Sequence, residues 1–468
     1  MVYHCANQRN QYKRLKRYSK RMYSKISRIS LILSALFYAA ALNYSHIVYL
    51  NPIWGYFGFT YNFFEWPEIA FALFLAIVVA FVLPTKLERP SCIIILLLFV
   101  VVYIPTIVIT LGLNERSIAR YGVSLLMLSL AFVVVCLVNR STYLSIVTTQ
   151  MPGKVFNRLF LCCWLVMFII LLYNFSSIMK LSGLDDVYEQ RAAGTSTNII
   201  IGYIQTYFSN VFSPGLISLG LVLRKRWFIL IGCIGCLAIY MITAQRTVFL
   251  LPIVIIGLNY VLKSTSPTIR SSAFLIFLLS ITVIFCSLFY VENDMVSFLS
   301  TYIIFRTLAV PGLTFSQYFD VFGTYGLTWW SHIKGIDLLI AAPDFFAQHQ
   351  FWPQLGRIVG DTFYDNAENN VNANLFSSDG VAAAGSGGVL LIGVVAAVWL
   401  KLLDWAARGW DKTLVILLTV PLGLTLTNGP LATTLLSFGG LFWIAIFYFC
   451  KPSAQRIQKV KSKRLIIK

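Results

Sequence analysis

A chain of 468 residues that is 58% hydrophobic and only 12% charged lies far from the soluble globular average. Its net charge of +19 is gathered in the tails and in every second loop, where a membrane protein keeps it, which argues against a nucleic-acid binder. Its apolar runs are continuous and do not alternate, which disfavours a transmembrane barrel.

The first 28 residues form a basic tail, including Arg9, Lys13, Arg14, Lys16, Arg17 and Lys20. This stretch is longer than the basic region of a signal peptide. The apolar run behind it continues past Ala39–Ala41 to span length, so it reads as a cytoplasmic tail and a signal-anchor helix. Spans long enough for a hydrocarbon core of about 30 Å are expected at 29–50, 68–84, 92–111, 121–138, 156–173, 199–222, 227–243, 247–262, 271–290, 386–400, 413–427 and 431–450. The expected architecture is an all-α polytopic membrane protein of about 12 transmembrane helices. It divides into a tail (1–28), spans one to nine (29–290), a large outer loop (291–385), spans ten to twelve (386–450) and a second basic tail (451–468).

Charge supports this count. With the N-terminal tail inside, 29 of the 37 Lys and Arg residues fall inside and 8 outside. Of the 18 acidic residues only Glu88, Asp404 and Asp411 fall inside. A missed or extra span would scramble the partition downstream of the error, so both termini are expected in the cytoplasm. The second tail also suits contact with anionic lipid. The nine cysteines lie almost all in spans and none in the long loop, so no disulfide framework is encoded. Cys233 and Cys236, inside an uninterrupted apolar run, read as small packing residues. The Asn174-Phe-Ser176 match to the glycosylation pattern is of a kind common by chance.

Two outer segments exceed turn length, at about 174–198 and at 291–385. In the second, Phe298–Leu313 is apolar enough to lie on the membrane or dip into it. Tyr325–His332 and Phe345–Pro353 have the aromatic density of an interfacial segment, so this loop is expected to hug the bilayer. No internal repeat is visible.

Among the outward cations, Arg191, Arg246 and Arg306 sit near span ends or in apolar surroundings, where a guanidinium costs a few kcal/mol without an anionic partner. Their forked donors suit phosphate or diphosphate; snorkelling, or pairing with an outer carboxylate, is the alternative. Arg357 and Lys334 lie in polar surroundings and carry less weight. Asp379, in Ser377-Ser-Asp-Gly380 before a small-residue run ending at Gly388, is a candidate general base at a helix start, and equally a helix cap or turn residue. Asp361 and Asp365 would share a helix face. His332 and His349 are possible bases or hydrogen-bonded structural residues. The run Asn366–Asn374 suits sugar hydroxyls, and is also ordinary turn material. The candidates are thus Arg246, Arg306 and Asp379 for chemistry, with Arg191, Arg357, Asn374 and His332 for substrate. No zinc-binding histidine pair, phosphate loop, nucleophile elbow or dinucleotide fingerprint is present, so no metal or cofactor is expected.

With these features the chain resembles the O-antigen polymerases of the Wzy class, the oligosaccharide repeat-unit polymerases. The likeness rests on the span count, the basic N-terminus and one dominant late loop. Locally it rests on Gln245-Arg246-Thr247 between two spans, on Phe305-Arg306-Thr307 opening the loop, and on Ala373–Gly380 with Gly385–Gly388 closing it. The resemblance implies a GT-C-like glycosyltransferase in the bacterial inner membrane. Such an enzyme joins oligosaccharide units carried on undecaprenyl diphosphate at the periplasmic face, often with a chain-length regulator as partner. Arg246 and Arg306 would then stabilise the departing diphosphate, with Arg191 holding the entering substrate. The rivals are an O-antigen ligase, with His332 or His349 as base, a flippase or other transporter, and a scaffold in envelope assembly.

Overall fold

The computed structural model describes residues 25–113, 117–140, 151–180, 190, 194, 198–364 and 370–451. Among these, every regular element is helical, and the one β-type pairing is an isolated bridge between Lys86 and Ser271. Ten helices are long and apolar enough to cross a membrane, and three apolar helices are shorter. The chain is therefore a polytopic helical membrane protein in architecture. Each of the twelve expected spans falls on one of these helices. In chain order they are α1 (Lys25–Phe57), α2 (Trp66–Val82), α3 (Pro90–Leu113), α4 (Ser117–Arg140), α5 (Lys154–Phe175), α6 (Ile199–Leu223), α7 (Arg226–Thr243), α8 (Arg246–Lys263) and α9 (Ser272–Phe289). After the outer segment come α13 (Phe376–Ala406), α14 (Lys412–Leu426) and α15 (Leu431–Phe449).

Contacts between connections sort the bundle into two ends. At the tail end, Arg28 donates to the carbonyl of Leu83, Ser272 N bonds Thr85 O, and Lys451 lies over the Trp405 ring. The strongest tie there is Asp404, buried where it accepts from Ser91 N at 2.9 Å and Ser91 Oγ at 2.5 Å, with Arg89 Nε at 3.8 Å. Arg89 also donates to Asn139 O, so one carboxylate ties α3, α4 and α13 together. At the opposite, loop end, Asn62 N bonds Gly112 O and Tyr290 OH donates to Val48 O. Successive spans alternate between these ends.

The segment 291–385 is mostly helical. Three helices lie before α13: α10 (Asp294–Tyr325), α11 (Asp344–Ala347) and α12 (Leu355–Tyr364). By length and hydropathy α10 qualifies as a further span. Its neighbours say otherwise. Near its start, Ser300 donates to Cys286 O at the loop end of α9, and Tyr49 bonds Thr301. Near its finish, Asp320 pairs with Arg120 at the loop end of α4. Both ends of α10 are therefore at the same end of the bundle, and the helix dips among the spans without crossing. Its middle packs inward, with Thr110 Oγ1 donating to Gly312 O and Gly312 set against Pro105 and Ile109. Phe298–Leu313, expected to lie on the membrane or dip into it, belongs to this helix, and the alternation of the apolar helices between the two ends is preserved.

The long helix α13 is interrupted. Ala384 (φ −148°, ψ 31°) and Gly385 (φ 58°, ψ −142°) leave helical geometry and reverse the chain. Only glycine adopts the Gly385 conformation at little steric cost. Residues before the break fold back on those after it: a Cβ on Gly388 would lie 2.2 Å from Gly380 O, and one on Gly380 3.0 Å from Val389 Cα. The piece before the break is a half-helix whose Phe376 ring meets Phe132 at 5.2 Å, near the middle of α4. The chain thus enters the bundle to mid-depth, climbs back to the loop end, turns at Ala384–Gly385 and only then descends as a span. The part of 291–385 nearest its end was expected to hug the surface; it is instead buried inside the bundle.

Candidate functional site

The half-helix begins at Asn374, whose Oδ1 accepts from Phe376 N at 2.9 Å and Ser377 N at 3.3 Å, while its carbonyl takes Ser378 N and Ser378 Oγ, each at 2.9 Å. Asn374 is therefore a buried cap. The turn that follows is wound wide across Phe376–Val381, a geometry often found at functional sites. The break at Ala384–Gly385 frees the carbonyls of Ala382 and Ala383, which accept Thr328 N and Trp329 N, each at 2.9 Å. The 328–332 turn is thereby clamped onto the half-helix. It carries two consecutive non-glycine residues in the left-handed region, Trp329 (φ 49°) and Trp330 (φ 62°), and Trp330 Nε1 donates to Asp379 O at 2.8 Å. Left-handed geometry at two bulky residues costs about 1–3 kcal/mol each and persists only where surrounding contacts over-determine it.

This clamp delivers His332 to Asp379. His332 Nδ1 lies 2.9 Å from Thr328 Oγ1, which fixes the ring. Nε2 stands 3.6 Å from Asp379 Oδ1, and the side chains are 6% and 0% exposed. Neither of these two atoms has a hydrogen-bond partner among the described residues. The other carboxylate oxygen, Oδ2, accepts Leu431 N at 2.5 Å, at the first residue of α15. An anion is stabilised at such a helix start. Asp379 thus serves a helix N-terminus, but that of α15 and not of the span following it in sequence. Gly380 and Gly388 serve close helix packing and leave no room for a substrate to approach their backbone.

The couple sits against α10. Tyr318, fully buried, donates to Val371 O at 3.0 Å. Next to it Gln317 Nε2 donates to Tyr364 OH at 2.9 Å, and that hydroxyl donates to Phe57 O at 3.1 Å. Burial pushes the Tyr364 phenol above its ordinary pKa, opposed by the Gln317 hydrogen bond. Gln317 Oε1, Asn374 Nδ2 and Ser377 Oγ are buried without a partner among the described residues. A packed protein interior rarely leaves so many polar atoms unsatisfied on adjoining elements.

Of the seven sequence candidates, Asp379, His332 and Asn374 come together here. The arginines do not join them among the described contacts. Arg306 is exposed on α10 with its guanidinium 5.0 Å from the Phe305 ring, and Phe305 stacks on Trp54 at 3.8 Å. Arg357 is exposed on α12, 5.7 Å over Phe351. Arg246 opens α8 directly after the turn at Ala244 (φ 49°); only its backbone is described. Arg191 lies outside the described residues, as do Asp365 and Glu368. Its described neighbours Gln190 and Gly194 pack on the end of α7: Gln190 donates to the carbonyls of Met241 and Lys180, and Gly194 abuts Ile242 O. Gln190 and Gly194 are therefore neighbours of the turn before Arg246.

Sequence reasoning missed Arg120, whose salt bridge to Asp320 closes at 2.7 Å with the Tyr121 hydroxyl 3.5 Å away. Its signal was present, because Arg120 is one of the eight cations that the charge partition assigns to the outside. Tyr318, Gln317 and the Thr328 clamp carried no signal, since nothing in their local pattern separates them from packing residues. No group of three or more His, Cys, Asp or Glu side chains among the described residues is arranged to hold a metal ion. Comparison with protein-family models, with curated proteins and with solved structures found no match to this chain.

Proposed function

We propose that this chain is a membrane glycosyltransferase that polymerises oligosaccharide repeat units carried on undecaprenyl diphosphate, working at the outer face of a bacterial inner membrane, with its tail end in the cytoplasm. The observation that carries this reading is the His332–Asp379 couple. An imidazole and a carboxylate, each with an unused polar atom facing the other at 3.6 Å, sit within the loop end of the bundle. Such a pair removes a proton from a hydroxyl: Nε2 takes it, and the carboxylate steadies the imidazolium. In the proposed step an acceptor hydroxyl oxygen bonds to the anomeric carbon of the growing chain. The bond from that carbon to the diphosphate oxygen breaks, and the electron pair leaves with undecaprenyl diphosphate. Arg246 and Arg306 stabilise the departing charge and Arg191 holds the incoming lipid diphosphate.

The same couple favours one second reading, an O-antigen ligase, in which His332 would activate a hydroxyl of lipid A core. Complementation of a deletion strain separates the two. Under the polymerase reading His332→Gln and Asp379→Asn abolish the polysaccharide ladder while a single repeat unit stays on the core. Long chains left on the undecaprenyl carrier would mean a ligase. Full ladders in both variants would remove the couple from the chemistry.

A further inference from the structure

A second histidine–carboxylate pair lies in the outer segment, apart from Asp379. His349 Nε2 is 3.5 Å from Asp361 Oδ2, and Nδ1 accepts Phe351 N at 3.3 Å. Beside it, Phe345 stacks on Tyr325 with ring centroids 4.1 Å apart and planes 9° from parallel, and the Phe345 ring lies 6.2 Å from His349. Tyr325 and Phe345 are 41% and 40% exposed, whereas the adjacent Phe346 is wholly buried and supplies the packing. Arg357, one turn before Asp361 on α12, covers Phe351 at 5.7 Å. The described part of the asparagine run adjoins the start of the same helix: Val371 N bonds Gly356 O at 2.9 Å, and a Cβ on Gly356 would meet Asn370 Oδ1 at 2.3 Å.

These contacts join aromatic rings, an imidazole, a carboxylate and a guanidinium into one strip, with amides close by. The combination is specific in kind. A pyranose offers an apolar C–H face and a rim of hydroxyls that both donate and accept. Exposed rings cover the first, and planar polar groups take the second in pairs. The Arg357 guanidinium is matched by the Asp361 carboxylate, and exposed Asp344 next to Phe345 adds a further negative charge, so the strip has no net attraction for a phosphate. Its ionic groups make it a poor surface for lipid tails.

We infer that the strip formed by Tyr325, Phe345, His349, Arg357 and Asp361 is a glycan-binding subsite that holds uncharged sugar units of the product outside the catalytic couple. The inference rests on the polymerase reading. A polymerase whose product is gripped stays with one chain for more additions, so the subsite would set product length without performing chemistry.

The test uses the full-length protein in lipid nanodiscs, with polysaccharide released by mild acid from the envelope of the strain that carries this chain. Wild-type protein is expected to show saturation-transfer contacts to the sugar protons. A Phe345→Ala, Asp361→Asn pair is expected to weaken affinity by about tenfold or more, the scale of one or two lost hydrogen bonds to a charged group. In cells the same pair should shift the ladder to shorter chains. Asp361→Asn alone, nearly isosteric, guards against misfolding and should shift both readouts in the same direction. Absence of transfer to wild-type protein, or affinity and ladder length unchanged in the pair, would overturn the subsite. His332→Gln separates the two ideas. Binding retained with no ladder supports both; binding retained with a full ladder removes His332 from the chemistry and leaves a glycan site; a lost ladder without any wild-type binding sinks the subsite alone.

Discussion

The two oxygens of Asp379 have different tasks. Oδ2 satisfies Leu431 N at the start of α15, and Oδ1 faces His332. The variants should therefore split. Asp379→Ala leaves a buried amide without its acceptor and should destabilise the protein by about 1–3 kcal/mol, read as a lower unfolding midpoint in detergent. Asp379→Asn keeps an oxygen for Leu431 and should melt close to wild type while losing the ladder. A normal ladder with Asp379→Asn would reduce Asp379 to a helix cap, one of the two roles its sequence context left open. At the tail end Asp404 has no such division. Both its oxygens are used by Ser91, so Asp404→Ala should cost about 3 kcal/mol through an orphaned amide and a lost charge-assisted bond. The fall in unfolding midpoint should exceed that of Ser91→Ala, which removes only the hydroxyl.

At the scale of elements, the reversal at Ala384–Gly385 governs the site, because it sets the depth of the half-helix and exposes the two carbonyls that seat the 328–332 turn. Gly388→Val should force the two limbs apart, since even a Cβ would sit 2.2 Å from backbone oxygen. The expected result is loss of the ladder together with new proteolytic cleavage around 326–343, and an intact ladder would show that the limbs can separate without disturbing His332. The neighbouring helix α10 illustrates a limit of hydropathy. Its length and apolar character qualify it as a span, yet Thr301 meets Tyr49 and Asp320 meets Arg120, both at the loop end. Single cysteines at positions 294 and 325 should thus react with an impermeant thiol reagent from the same side of the membrane. Reaction from opposite sides would make α10 a crossing helix and invert everything after it.

For the molecule as a whole, the alternating ends and the distribution of charge point the same way. The connections that carry most Lys and Arg meet at the tail end, and the segment with half of the acidic residues lies at the other. Reporter fusions in 264–271 and in 326–343 should therefore fall on opposite sides, the first cytoplasmic. A cytoplasmic 326–343 would remove the periplasmic chemistry proposed for His332.

The polytopic helical architecture and the order of its apolar helices were legible in the residues alone, because crossing a hydrocarbon layer demands a local run of apolar side chains. Asp379, Asn374 and His332 could be singled out for similar reasons, as polar residues in unusual company. Their meeting could not. Residues 332 and 379 are brought together by backbone bonds freed by a chain reversal and by the Trp330 ring, and whether a helix crosses or lies down depends on what touches its two ends. Those are contacts between residues far apart in sequence, which local hydropathy does not encode and which only the packed bundle decided.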